Sequence, residues 1–396
     1  MTALLHLVSE QTMQNLLPIL ALRPKTVVQV RSRPDKFHQA ADNLKNAVLA
    51  MSKTPLYRDL NPEFFDWPID EDSPSVERSK SKVGEALSLW PGAIVNLTGG
   101  TKQMSIGAYL AADYQREPML YCDTAQRQFI PVGKRPLSKL PPFEQIAASL
   151  TVEAVMAAHG TPPAKWKSKE ASKPLLGLGR CAWELHNKDR DALLEYGKLI
   201  LKHFRGDKAN VPSAPSELQT LAAKPLPTPS SESVMGFLDA ATQAGLLLKD
   251  GRNNFFPAAE WRDRNVQELA NILNGSWMEL FVLSHLAQEP DKWSDLHWSV
   301  APQERGKGSL GETDVVCLDA KSAALQIISC KTKLQKRLEV LEALTERRAR
   351  MGGTYAKAAL AVLHVQPNER EELRKLGELL QVQVLIGDEI TRAFTA

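Results

Sequence analysis

Ala93-Ile94-Val95-Asn96-Leu97-Thr98-Gly99-Gly100-Thr101-Lys102-Gln103-Met104-Ser105 decides the fold of the first part of the chain. A short apolar run (93–97) ends in a glycine pair, and a stretch of helical periodicity (101–114) follows at once. The two glycines let the backbone take positive φ and approach a ligand closely. The helix that starts there presents free N–H groups and the positive end of its dipole. Thr98 and Thr101 add hydroxyls and Lys102 a cation, a set suited to a phosphate or a ribose. The spacing is neither GxGxxG nor GxxxxGK(S/T). The same residues also fit a tight strand–helix turn with a threonine as N-cap.

Outward from this turn, strand-like runs at 4–8, 26–30 and 119–122 alternate with helical stretches from 11 to about 22 and at 36–51. Such alternation with short connections predicts a doubly wound parallel sheet over residues 1–142, a Rossmann-like domain. Ligands of such sheets bind outside the carboxyl ends of the strands. The first loop, Val8-Ser9-Glu10-Gln11-Thr12, and the last, Cys122-Asp123-Thr124, are expected at the same edge as the glycine turn.

Composition bounds the rest. Across 396 residues, 43% are hydrophobic and 24% charged, ordinary values for a globular chain of two or three domains. No apolar run approaches the ~18–20 residues of a membrane span. Residues 1–8 lack a basic n-region and a small-residue cleavage site, so a buried strand and a cytoplasmic protein without membrane partners are expected. Cys122, Cys181, Cys317 and Cys330 form no CxxC pair and fit reduced thiols. The net charge of +3, from 49 Lys+Arg and 46 Asp+Glu, excludes a chain coated for nucleic acid, leaving only local patches.

Residues 143–260 read as a helical connecting region. Helical stretches at 143–159 and 190–204 are separated by a Pro- and Lys-rich segment (160–174) with Lys165, Lys167, Lys169 and Lys173. A Pro/Ser/Ala-dense segment (211–233) follows. A helix at 233–245 precedes two short strands flanking Lys249-Asp250-Gly251-Arg252, a hairpin signal. Helix plus hairpin resembles a winged-helix fragment. A structural spacer fits better, because no basic recognition helix accompanies it.

The last segment, 261–396, reads as a mixed sheet with flanking helices. Gly311-Glu312-Thr313-Asp314-Val315-Val316-Cys317 carries an acid into an apolar strand, and Gln326-Ile327-Ile328-Ser329-Cys330-Lys331 is a second strand ending in lysine. A hairpin between them would bring Asp314 to Ser329 and Lys331, and Glu279 lies on the preceding helix. Hydrolysing a phosphodiester requires a stabilised oxyanion and an activated water, which carboxylate-held Mg²⁺ or Mn²⁺ supplies. Asp314 and Glu279 are therefore the candidate metal ligands, with the Cys330 carbonyl as a further ligand and Lys331 as the catalytic cation. Glu312 is a candidate helper on the face of Asp314. Ser329 stands where a second acid is usual, which thins the metal shell. A surface hairpin with an incidental acid and lysine would give the same pattern. Lys333, Lys336, Arg337, Arg347, Arg348 and Arg350 suggest a cationic helix over 334–351, although Glu339, Glu342 and Glu346 equally suit a solvated face. Trp261, Trp277, Trp293 and Trp298 are expected in the core.

Val8-Ser9-Glu10-Gln11 together with Asn96-Leu97-Thr98-Gly99-Gly100-Thr101-Lys102 resembles the CARF domain of CRISPR ancillary nucleases. Residues 311–315 with Ile328-Ser329-Cys330-Lys331 resemble their PD-(D/E)xK, restriction-endonuclease-like domain, including its Ser-Cys-Lys ending. The resemblance implies an endonuclease for DNA, RNA or both, activated in type III CRISPR antiviral defence. It implies a homodimer that binds cyclic tetra-adenylate between two CARF domains, with Mn²⁺ or Mg²⁺ as cofactor. Ser9, Gln11, Thr98, Gly99, Gly100, Thr101, Lys102 and Asp123 become the candidate ligand contacts. A non-catalytic CARF-type regulator that binds DNA through the helix–hairpin segment is the alternative, and degradation of the cyclic ligand by the first domain is a third reading.

Overall fold

The computed structural model describes residues 3–137, 140–167, 173–205, 220–264, 266–304 and 308–395. The first unit runs β1 (Ala3–Leu7), α1 (Met13–Leu22), β2 (Thr26–Arg31), α2 (Asp35–Ser52), β3 (Glu63–Pro68), α3 (Val76–Leu89), β4 (Ile94–Asn96), α4 (Lys102–Gln115), β5 (Met119–Asp123) and β6 (Gln128–Val132). Its six strands lie in the order β3-β2-β1-β4-β5-β6. Every pair is parallel except the β5–β6 hairpin. β1 and β4 are buried along their whole length, as central parallel strands covered on both faces must be. Leu4, Leu16, Leu20, Val27 and Leu44 pack on one face. Leu5, Val28, Val83, Leu87 and Ala108 pack on the other.

The strand order reverses between β1 and β4, so the loops leaving these two strands diverge and open a crevice, the usual ligand position of a doubly wound sheet. β3, α3 and β6 were not anticipated. β3, Glu-Phe-Phe-Asp-Trp-Pro, is an edge strand without a β-branched run and closes on Pro68, which only an edge tolerates.

The second unit contains α5 (Phe143–Ala148), α6 (Val152–Ala158), β7 (Pro163–Lys167), α7 (Lys173–Lys188), α8 (Arg190–Arg205), α9 (Glu232–Gln243), β8 (Leu247–Lys249), β9 (Phe255–Pro257), α10 (Ala259–Arg264) and α11 (Val266–Asn271). A π-turn (Ile272–Ser276) leads into α12 (Trp277–Leu286). β10 (Trp293–Glu304), β11 (Gly308–Ser309), β12 (Thr313–Asp319), β13 (Leu325–Lys333), α13 (Arg337–Gly352), β14 (Lys357–His364), α14 (Arg370–Leu379), β15 (Val382–Ile386) and α15 (Glu389–Thr395) complete it. Its seven-stranded sheet has the order β11-β10-β12-β13-β14-β15, with β7 on β10. β10, β12 and β13 pair antiparallel, and β13, β14 and β15 parallel.

Much of residues 143–260 packs onto the second sheet. β7 extends the second sheet, and Leu178, Tyr196, Phe204, Phe237 and Leu246 share one apolar cluster with Leu280, Val315 and Ile328. Trp183 stacks on Phe281 at 4.3 Å between ring centroids. Proline and lysine counts suggested a linker, but the apolar faces of α7 and α8 recur at helical spacing and need a partner to cover them. Residues 168–172 and 211–219, with Lys169, lie outside the described residues. α9 and the β8–β9 hairpin also pack into that cluster, through Val234, Phe237, Leu238 and Phe255. The expected helix over 143–159 is two helices, broken where Thr151 caps α6 by accepting from Ala154 N at 3.2 Å. No helix among the described residues is long and apolar enough to cross a membrane.

Candidate functional site

Two polar constellations stand out, one on each sheet. On the first, the turn after β4 passes directly over the end of β1. A Cβ on Gly99 would lie 2.0 Å from Leu7 O, so only glycine fits, and Gly100 takes φ +72°. Below the turn a chain of buried amides ties four elements together. Asn15 Nδ2 donates to Leu7 O, and Asn96 Nδ2 donates to Asn15 Oδ1 and to Gln14 O, each at 3.0 Å. Thr98 Oγ1 donates to Asn96 Oδ1 at 2.7 Å and accepts from Cys122 N at 2.6 Å. Thr101 Oγ1 caps α4 by accepting from Met104 N at 3.2 Å. Ser105 Oγ, which the sequence did not single out, donates to Leu97 O and Gly99 O at 3.0 Å.

The hydroxyls of Thr98 and Thr101 are therefore engaged within the protein and shape the turn. Lys102 and Gln11 are exposed, and Ser9 and Gly100 are half-buried. These four lie where the chain leaves β1 and β4, with Lys102 the first residue of α4. Ser9 Oγ donates to Gln11 O at 3.3 Å, which orders the first loop. Asp123 Oδ1 accepts from Gln126 N at 2.9 Å at the β5–β6 corner, one strand further from β1. His6 lies fully buried in register between Gln29 and Asn96, where burial lowers its pKa to about 3 and keeps it neutral. Burial, helped by Asp123, pushes the Cys122 thiol up to about 12.

On the second sheet the antiparallel β12–β13 ladder gives way to side-chain contacts at Asp314. Its Oδ2 accepts from Ser329 Oγ at 2.9 Å, Cys330 N at 2.7 Å and Lys331 Nζ at 2.9 Å. Glu279, 9% exposed, belongs to α12, nine of whose ten residues are buried. A carboxylate on such a helix needs a polar purpose, because a buried charge is costly without partners. The π-turn just before it, around Gly275, changes which face the helix presents, a device frequent at functional sites. The Cys330 thiol is driven well above its usual range by burial, then by the negative charges of Asp314 and Glu279, with Lys331 opposing them. Both carboxylates therefore act on Cys330, Asp314 through a direct hydrogen bond as well.

Glu312 is placed differently. It is exposed and accepts from Ser299 Oγ of β10, outside the Asp314–Cys330–Lys331 contacts. Among the described residues no group of three or more His, Cys, Asp or Glu is placed to hold a metal ion. Asp314 and Glu279 are two carboxylates, and hard oxygen donors are what Mg²⁺ and Mn²⁺ take. Trp277, Trp293 and Trp298 are buried in the core, and Trp261 packs against it. The cations of α13 are mostly committed. Arg337 pairs with Glu369 and Glu372, Arg350 with Glu346, and Arg348 bonds Gln381.

Residues 3–136 match the Card1 CARF domain family. A search of curated proteins finds no match. Among solved structures, Can2 from Sulfobacillus thermosulfidooxidans in complex with cyclic tetra-adenylate is 18% identical, with a TM-score of 0.67 over 100% of this chain and 97% of that one. Protein VC1899 from Vibrio cholerae is 16% identical, with a TM-score of 0.72 over 100% and 96% of the two chains. A type III CRISPR defence DNA nuclease activated by cyclic oligoadenylate is 16% identical, with a TM-score of 0.54, covering 94% of this chain and 51% of that one. At these identities the likeness is one of fold.

Proposed function

We propose, from the premise that residues 3–136 form a CARF domain, that this protein is a metal-dependent endonuclease switched on by cyclic tetra-adenylate in type III CRISPR defence. The observation that carries the nuclease half is the convergence of Ser329, Cys330 and Lys331 on one oxygen of Asp314, with Glu279 beside them. Three donors fix the carboxylate and leave Oδ1, which accepts no hydrogen bond among the described residues, for a metal ion. Asp314, Glu279 and the Cys330 carbonyl would hold Mn²⁺ or Mg²⁺, with water completing the thin shell. The ion, when bound, lowers the pKa of a coordinated water and polarises the phosphate. Lys331 Nζ, held 2.9 Å from Asp314, is aligned to stabilise charge on the phosphate in the transition state. Glu312 serves as a helper that positions the start of β12.

Ser9, Gln11, Gly99, Gly100 and Lys102 contact the activator in this reading, while Thr98, Thr101 and Asp123 shape the loops that do so. A cyclic ligand with two-fold symmetry is matched by a two-fold homodimer. Ile106, Tyr109, Leu110 and Tyr114 support that assembly, as exposed apolar residues at helical spacing on α4. The substrate is DNA, RNA or both, and the protein acts in the cytoplasm. The regulator reading is disfavoured, because α9 buries its apolar face in the second unit and has no lysine or arginine. The test is cleavage of plasmid and single-stranded oligonucleotides with Mn²⁺, with and without cyclic tetra-adenylate. Activator-dependent cleavage is expected. Equal inactivity in both lanes, or unchanged cleavage by Lys331→Ala, overturns it.

A further inference from the structure

The loop after β1 reaches the second unit directly. Gln14 Nε2, in the first turn of α1, donates to Gln11 Oε1 at 3.1 Å and to the Tyr355 hydroxyl at 3.4 Å. Gln11 is a candidate activator contact, and Tyr355 lies in the turn between α13 and β14. One amide nitrogen is thus shared between the two units. Beside it Thr12 Oγ1, buried, donates to Ala158 O at the end of α6 at 2.6 Å.

The exit of α6 is seated in turn on α13. Thr161 Oγ1 donates to Arg350 O at 3.3 Å. His159 packs so closely on Gly353 that a Cβ there would lie 2.7 Å from its Cε1. One turn earlier, Arg347 Nε donates to Leu310 O at 3.2 Å. The same guanidinium covers Gly311, where a Cβ would lie 2.9 Å from Nη2 and φ is +81°. Asp314 follows three residues on. The seam is not packed solid: a cavity of about 420 Å³, bordered by Gln11, Lys36, Asn43, His159, Arg350 and Tyr355, lies along it. Close packing would transmit no adjustment without strain, whereas this space lets α13 and the first loop shift relative to each other.

We propose that Tyr355 and Arg347 are positioning residues that couple occupancy of Gln11 to the geometry of the strand carrying Asp314. An activator that claims the Gln11 side chain removes one of the two acceptors of Gln14 Nε2. The amide then serves Tyr355 alone, the seam closes at that corner, and Arg347 carries the shift of α13 to Leu310–Gly311. The proposal rests on the activated-nuclease reading and names how that activation is conveyed. The test measures the coupling itself.

The experiment is amide hydrogen exchange on the full chain with and without saturating cyclic tetra-adenylate, paired with Mn²⁺-dependent cleavage. In the native sequence the activator slows exchange at residues 9–14 and also at 310–315 and 347–356. Tyr355→Phe removes one hydroxyl from a partly exposed ring. It keeps the slowing at 9–14 and loses that at 310–315. Its activated-to-basal cleavage ratio falls about tenfold, within the usual range of couplings, while basal cleavage stays within about threefold. Arg347→Met does the same, and Arg347→Lys, which keeps a donor, restores part of the ratio. Full activation and full slowing at 310–315 in both Tyr355→Phe and Arg347→Met overturn the proposal. Slowing confined to 9–14 in the native sequence also overturns it, leaving the sensor reading intact. No slowing anywhere overturns sensor and seam together. The expected exchange pattern without any cleavage supports the seam and sinks only the nuclease reading.

Discussion

Lys331 Nζ lies 2.9 Å from Asp314 Oδ2, on an oxygen that also accepts from the Cys330 N–H and the Ser329 hydroxyl. The pair is partly solvated, with side-chain exposures of 37% and 15%. Such a bridge adds little stability, roughly 0–1 kcal/mol. In the proposed nuclease its role is chemical. Lys331→Ala is therefore expected to lower activated cleavage by about 10²–10³-fold, the scale for losing one transition-state donor. Thermal denaturation of the same variant should shift by only a few degrees. Loss of activity accompanied by global unfolding would count against this separation.

Asp314→Asn keeps the shape of the side chain and removes its charge. In the proposed site Glu279 would then be the only carboxylate left, so Mn²⁺ binding measured by calorimetry should weaken at least about tenfold, because a shell with so few charged ligands depends on each of them. Unaltered binding in Asp314→Asn would remove this residue from the metal shell.

Gly99→Ala forces a Cβ to within 2.0 Å of Leu7 O, a backbone atom of the central strand that cannot yield cheaply. A destabilisation of at least about 2–3 kcal/mol is expected, at the upper end for overpacking. Urea denaturation would register it as a lower midpoint. A midpoint within error of the native chain would falsify the close approach of the turn to β1.

Thr98→Val exchanges a hydroxyl for a methyl at nearly constant volume. Asn96 Oδ1 then loses a donor, and the Cys122 N–H loses its acceptor. Leaving a partly buried backbone donor unpaired costs about 1–3 kcal/mol. Cyclic tetra-adenylate binding should weaken because the glycine turn loosens, and Thr98→Ser, which keeps the hydroxyl, should recover most of both losses. Failure of serine to restore either one would separate Thr98 from the turn.

His6 and His159 are buried, and desolvation lowers their pKa values from 6.5 to about 3 and about 4. Between those values and 6.5 the unfolded chain binds a proton at each site that the folded chain refuses. Stability then rises with pH in that window and is lost as pH falls through it. Well below pH 6.5 each histidine contributes roughly 1.4 kcal/mol per pH unit, and because the unfolded imidazole is only half protonated at 6.5, lowering the pH from 6.5 to 5 is expected to cost about 3 kcal/mol from the two. Denaturation midpoints at pH 5 and 7.5 test this, and His6→Leu should make the slope shallower. A flat profile between pH 5 and 6.5 would show that neither site excludes the proton.

The sequence by itself determined what periodicity and local chemistry can specify. The βα alternation, the glycine turn after Val95-Asn96-Leu97 and the strand-borne Asp314 and Lys331 are all legible, because period-2 and period-3.6 patterns and glycine pairs act over a few residues. Tertiary structure decided where polar groups spend their hydrogen bonds. The threonine cap on α4 is local and was open to reading. Thr98 looks free in the chain, yet the Cys122 N–H brought to it from β5 engages its oxygen. Glu312 likewise goes to Ser299, on a strand that only the sheet places beside it. The supposed linker became part of the second unit because the apolar faces of α7 and α8 find cover only on residues such as Leu280 and Phe281, far along the chain. Burial and hydrogen bonding depend on what arrives from elsewhere in the sequence, and no local pattern records that.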